Sequence, residues 1–281
     1  MSVVNGPNNT KWVLPETDQT TLTALAEAAG VSVLTAQILY QRGYQSPGAI
    51  QAFLAKDASQ LHDPFLLPQV QAAVERILQA RETGEKVVIY GDYDCDGVTS
   101  TFTLLTTLRS LGIATDYYIP NRLDEGYGLN AEAIVELAKK YSLLVTVDCG
   151  ITACTEVELA NQLGLDVIVT DHHTPKPELP AAHAVLNPKI PGGTYPFSEL
   201  AGVGVAYKLA QALWKVGGIP GSSFPVPLSI VMLGTVADLV PLVDENRTLV
   251  ALGLADLPRS ANLGLQALIE QTRYNPAEIT A

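Results

Sequence analysis

The sequence predicts an α/β fold: a parallel β-sheet flanked by helices, with an N-terminal helical extension. From Lys86 onward, short apolar runs rich in β-branched residues alternate with amphipathic stretches of helical length. Strands separated by such helices favour a parallel sheet with right-handed crossovers. Before that point, from Thr20 to about Arg81, apolar residues recur at helical spacing, which is typical of packed helices.

The N-terminal extension is predicted to contain several helices. The first pattern has Gly30 and Gly43 as helix stops, and the helical segments read TLTALAEAAGVSVLTAQILYQRG, SPGAIQAFLAKD and LPQVQAAVERILQARETGEK. We assign residues 1–80 to an N-terminal helical region and residues 81–260 to the α/β domain. Residues 261–281 are expected to form a C-terminal tail that leads to a second domain outside this sequence.

The α/β domain is predicted to contain five strands and several intervening helices. The strands read, in order, KVVIYG, ATDYYIP, LLVTVDCG, DVIVTDHH and HAVLNP. The first helix, TSTFTLLTTLRSLG, is expected to begin at a Thr99 or Ser100 cap and to stop at Gly112. The later helices read NAEAIVELAKKY, TEVELANQLG, VAYKLAQALWKVGG and PLSIVMLGTVADLV. From Asn246 the pattern is less regular.

Composition limits the class of protein. The 281 residues are 47% hydrophobic and include only three cysteines, without a CxxC pair, so a disulfide framework or zinc site is not expected. The sequence has neither a long apolar run nor a signal-peptide pattern, and a cytoplasmic protein without a membrane span is expected. The net charge of −12 allows two interpretations: a small substrate, or acidic residues that bind cations while basic surface lies elsewhere.

Three predicted strands end in acidic or imidazole side chains. The residues are Asp92, Asp94 and Asp96 after the first strand, Asp148 after the third, and Asp171, His172 and His173 after the fourth. In an open parallel sheet, ligands bind beyond the carboxyl ends of the strands, so these groups are predicted to share one crevice. Carboxylates placed so close together repel each other unless protons or cations neutralise them.

This combination of ligands favours a site for two Mn²⁺ or Mg²⁺ ions. Two such ions would clamp a phosphodiester and lower the pKa of an attacking water. Two of these residues have a simpler explanation than metal binding. Asp92 could cap a turn, and Asp171 could orient a neighbouring histidine. Other nucleotide motifs are weak or missing, because the sequence has no GxxxxGK[ST], and the GxG in AGVGVAYK lacks a third glycine. An NAD-dependent dehydrogenase is therefore disfavoured.

Four segments resemble, in order, the motifs of the DHH phosphoesterase superfamily: YGDYDCDGVTS, VTVDCG, VTDHH and GTVADLVPL. Further segments resemble its single-strand-specific DNA exonucleases over nearly the whole length, among them QRGYQSPGAIQAFL, YIPNRLDEGYGLN and DENRTLVALGL. The resemblance implies removal of nucleotides from the 5′ end of single-stranded DNA in repair and recombination, with Mn²⁺ or Mg²⁺. It also implies a monomer and, as a partner, a single-strand-binding protein.

The resemblance also assigns roles to residues. It implies that the metal ligands are Asp92, Asp94, Asp96, Asp148, His172 and Asp238. Asp148 would bridge the two ions, and His173 would face the scissile phosphate, so these two are the expected catalytic residues. Arg122 and Arg247 are candidates for phosphate contacts, because the guanidinium fork suits a phosphate. Tyr90 stands where some relatives have histidine, which implies that the second ion relies more on Asp92.

Two alternatives stay open. Smaller DHH enzymes hydrolyse a cyclic dinucleotide, a short oligonucleotide or pyrophosphate, and some relatives that have lost metal ligands act as scaffolds. The expected ligands are all present here, which favours an enzyme. The resemblance further implies a second, nucleotide-binding domain and a DNA-binding domain beyond this sequence, and basic surface in those domains would account for the net charge of −12.

Overall fold

The computed structural model of the protein describes residues 2–14 and 17–281, which fall into two units, residues 1–56 and 57–281. The first unit contains an antiparallel hairpin, β1 (Ser2–Asn5) and β2 (Lys11–Leu14), followed by α1 (Gln19–Ala29), α2 (Val33–Gln41) and α3 (Pro47–Leu54). The three helices confirm the predicted helical pattern. The hairpin was not predicted, because its two strands are only four residues long each.

Local chemistry defines the ends of these helices. The side chains of Asp18, Ser32 and Ser46 each accept a hydrogen bond from the backbone N–H three residues further on, as N-capping residues do. Gly30 ends α1 in the left-handed region, with a φ of 72°, so the predicted stop is confirmed. Leu25, Ala26, Ala36, Leu39 and Ile50 form the small core between the helices.

One pair of these helices is notable for its apolar composition. Across residues 2–14 and 17–281, no single helix is long and apolar enough to cross a membrane. The pair Gln19–Ala29 and Val33–Gln41, bent by 105°, meets that test by length and composition alone.

The second unit is built on a five-stranded parallel sheet with the strand order β4-β3-β5-β6-β7. Its elements are α4 (Val70–Thr83), β3 (Val87–Tyr90), α5 (Cys95–Ser110), β4 (Thr115–Tyr118), α6 (Ala131–Ala138), β5 (Leu143–Val147), α7 (Cys154–Gln162), β6 (Asp166–Thr170) and β7 (Ala184–Leu186). The predicted fold class, a parallel sheet flanked by helices, is confirmed.

The sheet is buried on both faces. Along β3, Val87 and Ile89 pack into the core on one face, which includes residues of α4 and α5. Val88 and Tyr90 pack on the other face, against residues of α6 and α7. This alternation follows from the two-residue period of a strand, and burial on both faces explains why the strands read as continuous apolar runs.

Helix α4 packs with the sheet, although the sequence analysis placed residues 57–80 with the N-terminal helices. Val70, Ala73, Val74, Ile77 and Ala80 lie on one side of α4 and belong to the sheet's core. The first unit ends at Lys56, well before the predicted boundary at residue 80. Helical periodicity shows which face of α4 is apolar but not which layer that face contacts.

Four more helices complete the second unit: α8 (Gly202–Gly217), α9 (Leu228–Ala237), α10 (Asp244–Asp256) and α11 (Leu263–Thr272). The expectation of less regular structure from Asn246 was wrong, because α10 and α11 occupy much of that segment. Helix α10 was missed because its buried face is largely polar, with Glu245, Asn246 and Thr248 beside Leu249 and Val250. That composition hides the usual apolar period.

Candidate metal centre

The predicted site residues meet where three neighbouring strands end. Strands β3, β5 and β6 are adjacent and parallel, so the loops after them open at the same edge of the sheet. Within the described part of the chain, three groups of side chains have ligand atoms within 4.8 Å of one another: Asp92, Asp94 and Asp148; Asp148, His172 and His173; Asp96, His172 and Asp238. The structure therefore brings all seven predicted metal-binding and catalytic residues together.

The first motif forms the turn from β3 into α5. Asp94 is the N-cap of α5, and its Oδ1 accepts a hydrogen bond from the N–H of Gly97 at 2.9 Å. The N-cap therefore lies five residues before Thr99, the earlier of the two predicted caps, because the acidic run supplies a cap without contributing to the apolar pattern. Asp92 accepts a hydrogen bond from the N–H of Tyr93 at 2.8 Å. Burial raises the pKa of Asp92.

Asp96 is held by the first turn of α8. Its Oδ2 accepts a hydrogen bond from the N–H of Gly202 at 2.6 Å, and its Oδ1 accepts one from the N–H of Val203 at 2.8 Å. The positive end of a helix favours a carboxylate at this position. Nevertheless burial, and then the negative charge of Asp148, raise the pKa of Asp96 to about 8. The site thus holds more negative charge than its own hydrogen bonds neutralise.

Asp148 occupies the centre of the cluster in a constrained backbone conformation. Its φ is 60°, in the left-handed region that few residues other than glycine, asparagine and aspartate adopt. Burial, and then the charge of Asp94, raise the pKa of Asp148 to about 9. A Cβ atom at Gly202 would lie 2.6 Å from Asp148 Oδ1, so the first glycine of the AGVG segment is needed for α8 to approach Asp148.

His172 joins Asp148 to the ends of α5 and α9. Its Nε2 lies 3.2 Å from Asp148 Oδ1, 3.6 Å from Asp238 Oδ2 and 3.8 Å from Asp96 Oδ2. Asp238 is the C-terminal cap of α9, and burial is the main reason that its pKa is raised.

Several buried ligand atoms in this cluster lack a hydrogen-bond partner among the described residues. They are Asp148 Oδ1 and both ring nitrogens of His172. Buried polar atoms are normally satisfied, and carboxyl groups with raised pKa values indicate repulsion that a cation would relieve. Oxygen ligands with one imidazole also suit Mn²⁺ or Mg²⁺. The donor set therefore fits divalent cations.

His173 is oriented by Asp171, which is one of the two possibilities that the sequence left open for this carboxylate. His173 Nδ1 lies 2.7 Å from Asp171 Oδ1, and this hydrogen bond raises the pKa of His173 to about 9. Burial alone would raise the pKa of Asp171, but the hydrogen bonds from the side chain and backbone of His173 outweigh it, so the pKa is lowered. Asp171 thus stays ionised and fixes the imidazole.

Tyr127 is a neighbour of the site that the sequence analysis did not single out. Its hydroxyl donates a hydrogen bond to the carbonyl oxygen of Asp148 at 3.3 Å and lies 3.3 Å from His173 Nδ1. Its ring meets the imidazole of His173 edge-on, with centroids 5.9 Å apart. The DEGYGLN segment contains no chemical pattern that would reveal this contact, since it depends on the fold of the loop after β4.

The remaining residues singled out in the sequence lie outside the three ligand groups. The exposed Arg122 stacks over the ring of Tyr93 at 5.3 Å, and its charge acts on Asp92. Arg247 is half-buried in the first turn of α10. The Tyr90 hydroxyl donates a hydrogen bond to the carbonyl oxygen of Gly128 at 3.0 Å, so it is turned toward the loop after β4. The roles of both arginines in phosphate binding stay predictions.

Comparison with known proteins agrees with this geometry. Residues 86–235 match the DHH family, N-terminal domain, and the chain belongs to this family. It is 46% identical over 261 residues to the single-stranded-DNA-specific exonuclease RecJ of Bacillus subtilis (strain 168), covering 92% of this chain and 32% of that protein. It is 40% identical over 227 residues to RecJ of Escherichia coli (strain K12), covering 76% of this chain and 39% of that protein.

Solved structures of RecJ share the fold. The manganese-bound exonuclease RecJ matches with a TM-score of 0.68 and 36% identity, over 78% of this chain and 55% of that chain. RecJ from Thermus thermophilus in complex with Mn²⁺ matches with a TM-score of 0.76 and 30% identity, over 92% of this chain and 37% of that chain. The chain thus spans only part of the length of the relatives it matches.

Proposed function

We propose that this chain is the phosphoesterase core of a RecJ-type exonuclease, which hydrolyses single-stranded DNA from its 5′ end with two Mn²⁺ or Mg²⁺ ions. The observation that carries the proposal is that His172 Nε2 lies within 3.8 Å of carboxylate oxygens of Asp148, Asp238 and Asp96. Asp148 Oδ1 and both ring nitrogens of His172 are buried and lack hydrogen-bond partners within the described residues. The RecJ relatives, and the manganese bound in two of their structures, support the same conclusion.

The grouping of side chains suggests how two ions would be shared. Asp92 and Asp94 would hold one ion, and Asp96, His172 and Asp238 would hold the other. Asp148 shares one group with Asp92 and Asp94 and another with His172, and it has two carboxylate oxygens, so it would be a ligand common to both ions. When bound, the ions would lower the pKa of an attacking water and neutralise charge on the phosphodiester.

His173 would act on the phosphate. With Nδ1 directed at Asp171, the opposite ring nitrogen is free to face the half-exposed side of the imidazole. The ionised Asp171 favours the protonated imidazole, which would donate a hydrogen bond to a phosphate oxygen and stabilise its charge. Arg122, exposed and close to Asp92, would bind a neighbouring phosphate.

The cellular setting is part of the proposal. The expected role is DNA repair and recombination in the cytoplasm, as a monomer, with single-stranded DNA as substrate and a single-strand-binding protein as partner. The alternative is a small substrate, such as a cyclic dinucleotide, a short oligonucleotide or pyrophosphate, with which the net charge of −12 is also compatible. The complete set of ligands argues against a non-catalytic scaffold.

The test is hydrolysis of 3′-labelled single-stranded DNA with Mn²⁺, with duplex DNA and a dinucleotide in parallel. The matched variants are Asp148→Asn, which removes the bridging charge, and Asp116→Asn, which removes an exposed charge on β4. We expect progressive shortening from the 5′ end by the wild type and by Asp116→Asn, and a loss of at least about 100-fold for Asp148→Asn. Cleavage of the dinucleotide alone would favour the small-substrate alternative. Equal activity of the two variants would contradict the assigned centre.

A further inference from the structure

A buried ion pair lies outside the three metal-binding groups. Lys208, in the middle of α8, pairs with Glu245, in the first turn of α10, and both side chains are 0% exposed. Glu245 also accepts hydrogen bonds from the backbone N–H of His62 at 2.8 Å and from the hydroxyl of Tyr195. Lys208 donates a second hydrogen bond to the carbonyl oxygen of His62 at 2.8 Å. The pair therefore ties three separate segments to α8.

A buried ion pair usually adds little net stability to a fold. Lysine and glutamate are seldom fully buried, and their desolvation commonly cancels the attraction between them. Well-packed apolar residues of similar volume are often as stabilising. A hydrogen-bonded ion pair does, however, fix geometry, and here it fixes the position of α10 relative to α8.

Both helices lead directly to the metal centre. The first turn of α8 holds Asp96 through the N–H groups of Gly202 and Val203, and Lys208 follows in the same helix. On the other side, Asn246 is next to Glu245, and its Nδ2 donates hydrogen bonds to the carbonyl oxygens of Pro241 at 3.1 Å and Glu199 at 2.5 Å. The start of α10 is thereby tied to the loop after α9.

That loop begins at Asp238. The next residue, Leu239, has a φ of 60° and is 89% exposed, so the loop's own apolar contacts fix it weakly at this point. Its far end is fixed by Asn246 and by a hydrogen bond between His62 Nε2 and Asp244 Oδ1 at 2.8 Å. The Asp238 carboxylate, 3.6 Å from His172 Nε2, thus lies between α9, whose C-terminal cap it forms, and a loop whose far end is held by the start of α10.

We propose that Lys208 and Glu245 are positioning residues, which place Asp238 against Asp96 and His172 and so set the Mn²⁺ affinity of that group. The inference rests on the two-metal function proposed above. It assigns a role in metal binding to two side chains that touch none of the predicted ligands. It also gives a role to a charged pair whose net contribution to stability is expected to be small.

The test is Mn²⁺ titration of the 281-residue chain by calorimetry and electron paramagnetic resonance. The variant Lys208→Met/Glu245→Met keeps side-chain volume and removes both charges. We expect the Kd of one ion to rise by about 10–100-fold, the usual cost of losing an outer-shell interaction, and the Kd of the other to change less than about twofold. The control is Arg76→Met/Asp166→Asn, which removes an ion pair between a buried arginine and a half-exposed aspartate, and it should leave both Kd values unchanged.

A combination with Asp238→Asn decides whether the pair acts through this ligand. If it does, adding Lys208→Met/Glu245→Met to Asp238→Asn should change the Kd by less than about twofold, since coupled sites are non-additive. Full additivity of the two effects, or equal losses in the control, would overturn the proposal. Should the double variant fail to fold, Tyr195→Phe removes one hydrogen bond to Glu245 and should still raise the same Kd, by a smaller factor. An unchanged Kd in Tyr195→Phe would then overturn the proposal.

The readout also separates this inference from the proposed function. Binding of Mn²⁺ is measured without DNA, so a selective loss of affinity supports the positioning role even if the wild type cleaves no single-stranded DNA. Conversely, a wild type that cleaves DNA while the double variant binds both ions normally would overturn the positioning role alone.

Discussion

At the scale of single residues, Asp148 combines three constraints. It is 2% exposed, its φ is 60°, and its pKa is raised to about 9 by burial and then by Asp94. Asparagine keeps the shape and tolerates the left-handed region but carries no charge. We therefore expect Asp148→Asn to raise the free energy of unfolding of the metal-free protein by about 1–3 kcal/mol at pH 8. The stabilisation that Mn²⁺ gives to the wild type should disappear.

Thermal unfolding with EDTA and with Mn²⁺ measures both effects. Asp116→Asn is the control, because Asp116 is exposed and lies in strand β4, and it should unfold like the wild type under both conditions. If Asp148→Asn is instead less stable than the wild type in EDTA, the Asp148 carboxylate stabilises the fold through hydrogen bonds, and its charge does not destabilise it.

The pairing of His173 with Asp171 gives a second prediction at this scale. In Asp171→Asn the hydrogen bond that raises the pKa of His173 is weakened, and the imidazole loses its fixed orientation. We expect kcat to fall by about 10–100-fold with a smaller change in KM. Because the imidazole would lose its proton at lower pH, the alkaline limb of the pH–rate profile should move to lower pH. An unchanged profile with reduced kcat would mean that His173 does not act as a proton-bearing group.

The residue types of the site were predictable, whereas several of their contacts were not. Acidic and imidazole side chains after successive apolar runs identify the ligands, since parallel strands end at one edge. Asp238 required a family resemblance, because a single aspartate at the end of a helix has no distinctive spacing. The role of Gly202 could not be predicted either, since its approach to Asp148 depends on the packing of α8.

At the scale of elements, the packing of α10 on α9 depends on a glycine. A Cβ atom at Gly253 would lie 2.3 Å from the Cβ of Met232 and 2.5 Å from the carbonyl oxygen of Leu228. Gly253→Ala should therefore separate the two helices and lower the free energy of unfolding by about 1–3 kcal/mol. Because Asp238 ends α9, the Kd for Mn²⁺ should rise as well.

Denaturant unfolding followed by circular dichroism measures the loss of stability. Gly264→Ala is the matched control, since Gly264 is exposed in α11 and a Cβ atom there meets only the side chain of Asn262, at 3.3 Å. It should change the free energy of unfolding by no more than about 0.5 kcal/mol. If the two substitutions change the free energy of unfolding equally, α9 and α10 can move apart without loss of stability.

Elements with a clear apolar period were predicted, and those without one were missed. The five strands of the sheet were all located, three of them because their buried runs contain few polar residues. Helix α10 was overlooked because Glu245 and Asn246 replace apolar residues on its buried face. Asn246 bonds the loop after Asp238 at the carbonyl oxygen of Pro241, and Glu245 pairs with Lys208. The polar residues that weaken the helical signal are therefore the ones that fix the start of α10.

At the scale of the whole molecule, several acidic groups are gathered at one buried site. The chain has a net charge of −12, and burial is the first cause of the raised pKa values of Asp96, to about 8, and Asp148, to about 9. In the unfolded chain these carboxyl groups lose their protons near pH 4. The metal-free folded state retains them to much higher pH and so binds more protons between about pH 4 and pH 9 than the unfolded state does.

Stability of the metal-free protein should therefore fall as pH rises through this interval. His173 acts in the same direction, because its folded pKa of about 9 exceeds the ordinary value near 6.5. Asp171 has a lowered pKa, so the stability it contributes is lost only at acid pH, below this interval. The first carboxylate to ionise hinders ionisation of the other, and we expect a loss of roughly 2–4 kcal/mol between pH 5.5 and pH 8.

Chemical denaturation of the EDTA-treated protein at several pH values measures this slope, and Mn²⁺ should reverse most of the loss at pH 8 because cations replace the protons. Asp96→Asn/Asp148→Asn is the decisive comparison, since it removes both raised carboxyl groups and should leave a much shallower slope. If the variant and the wild type lose stability equally, the pH dependence arises from the general negative charge of the molecule. A steep slope confined to the wild type and cancelled by Mn²⁺ would place the destabilising charge at the metal centre.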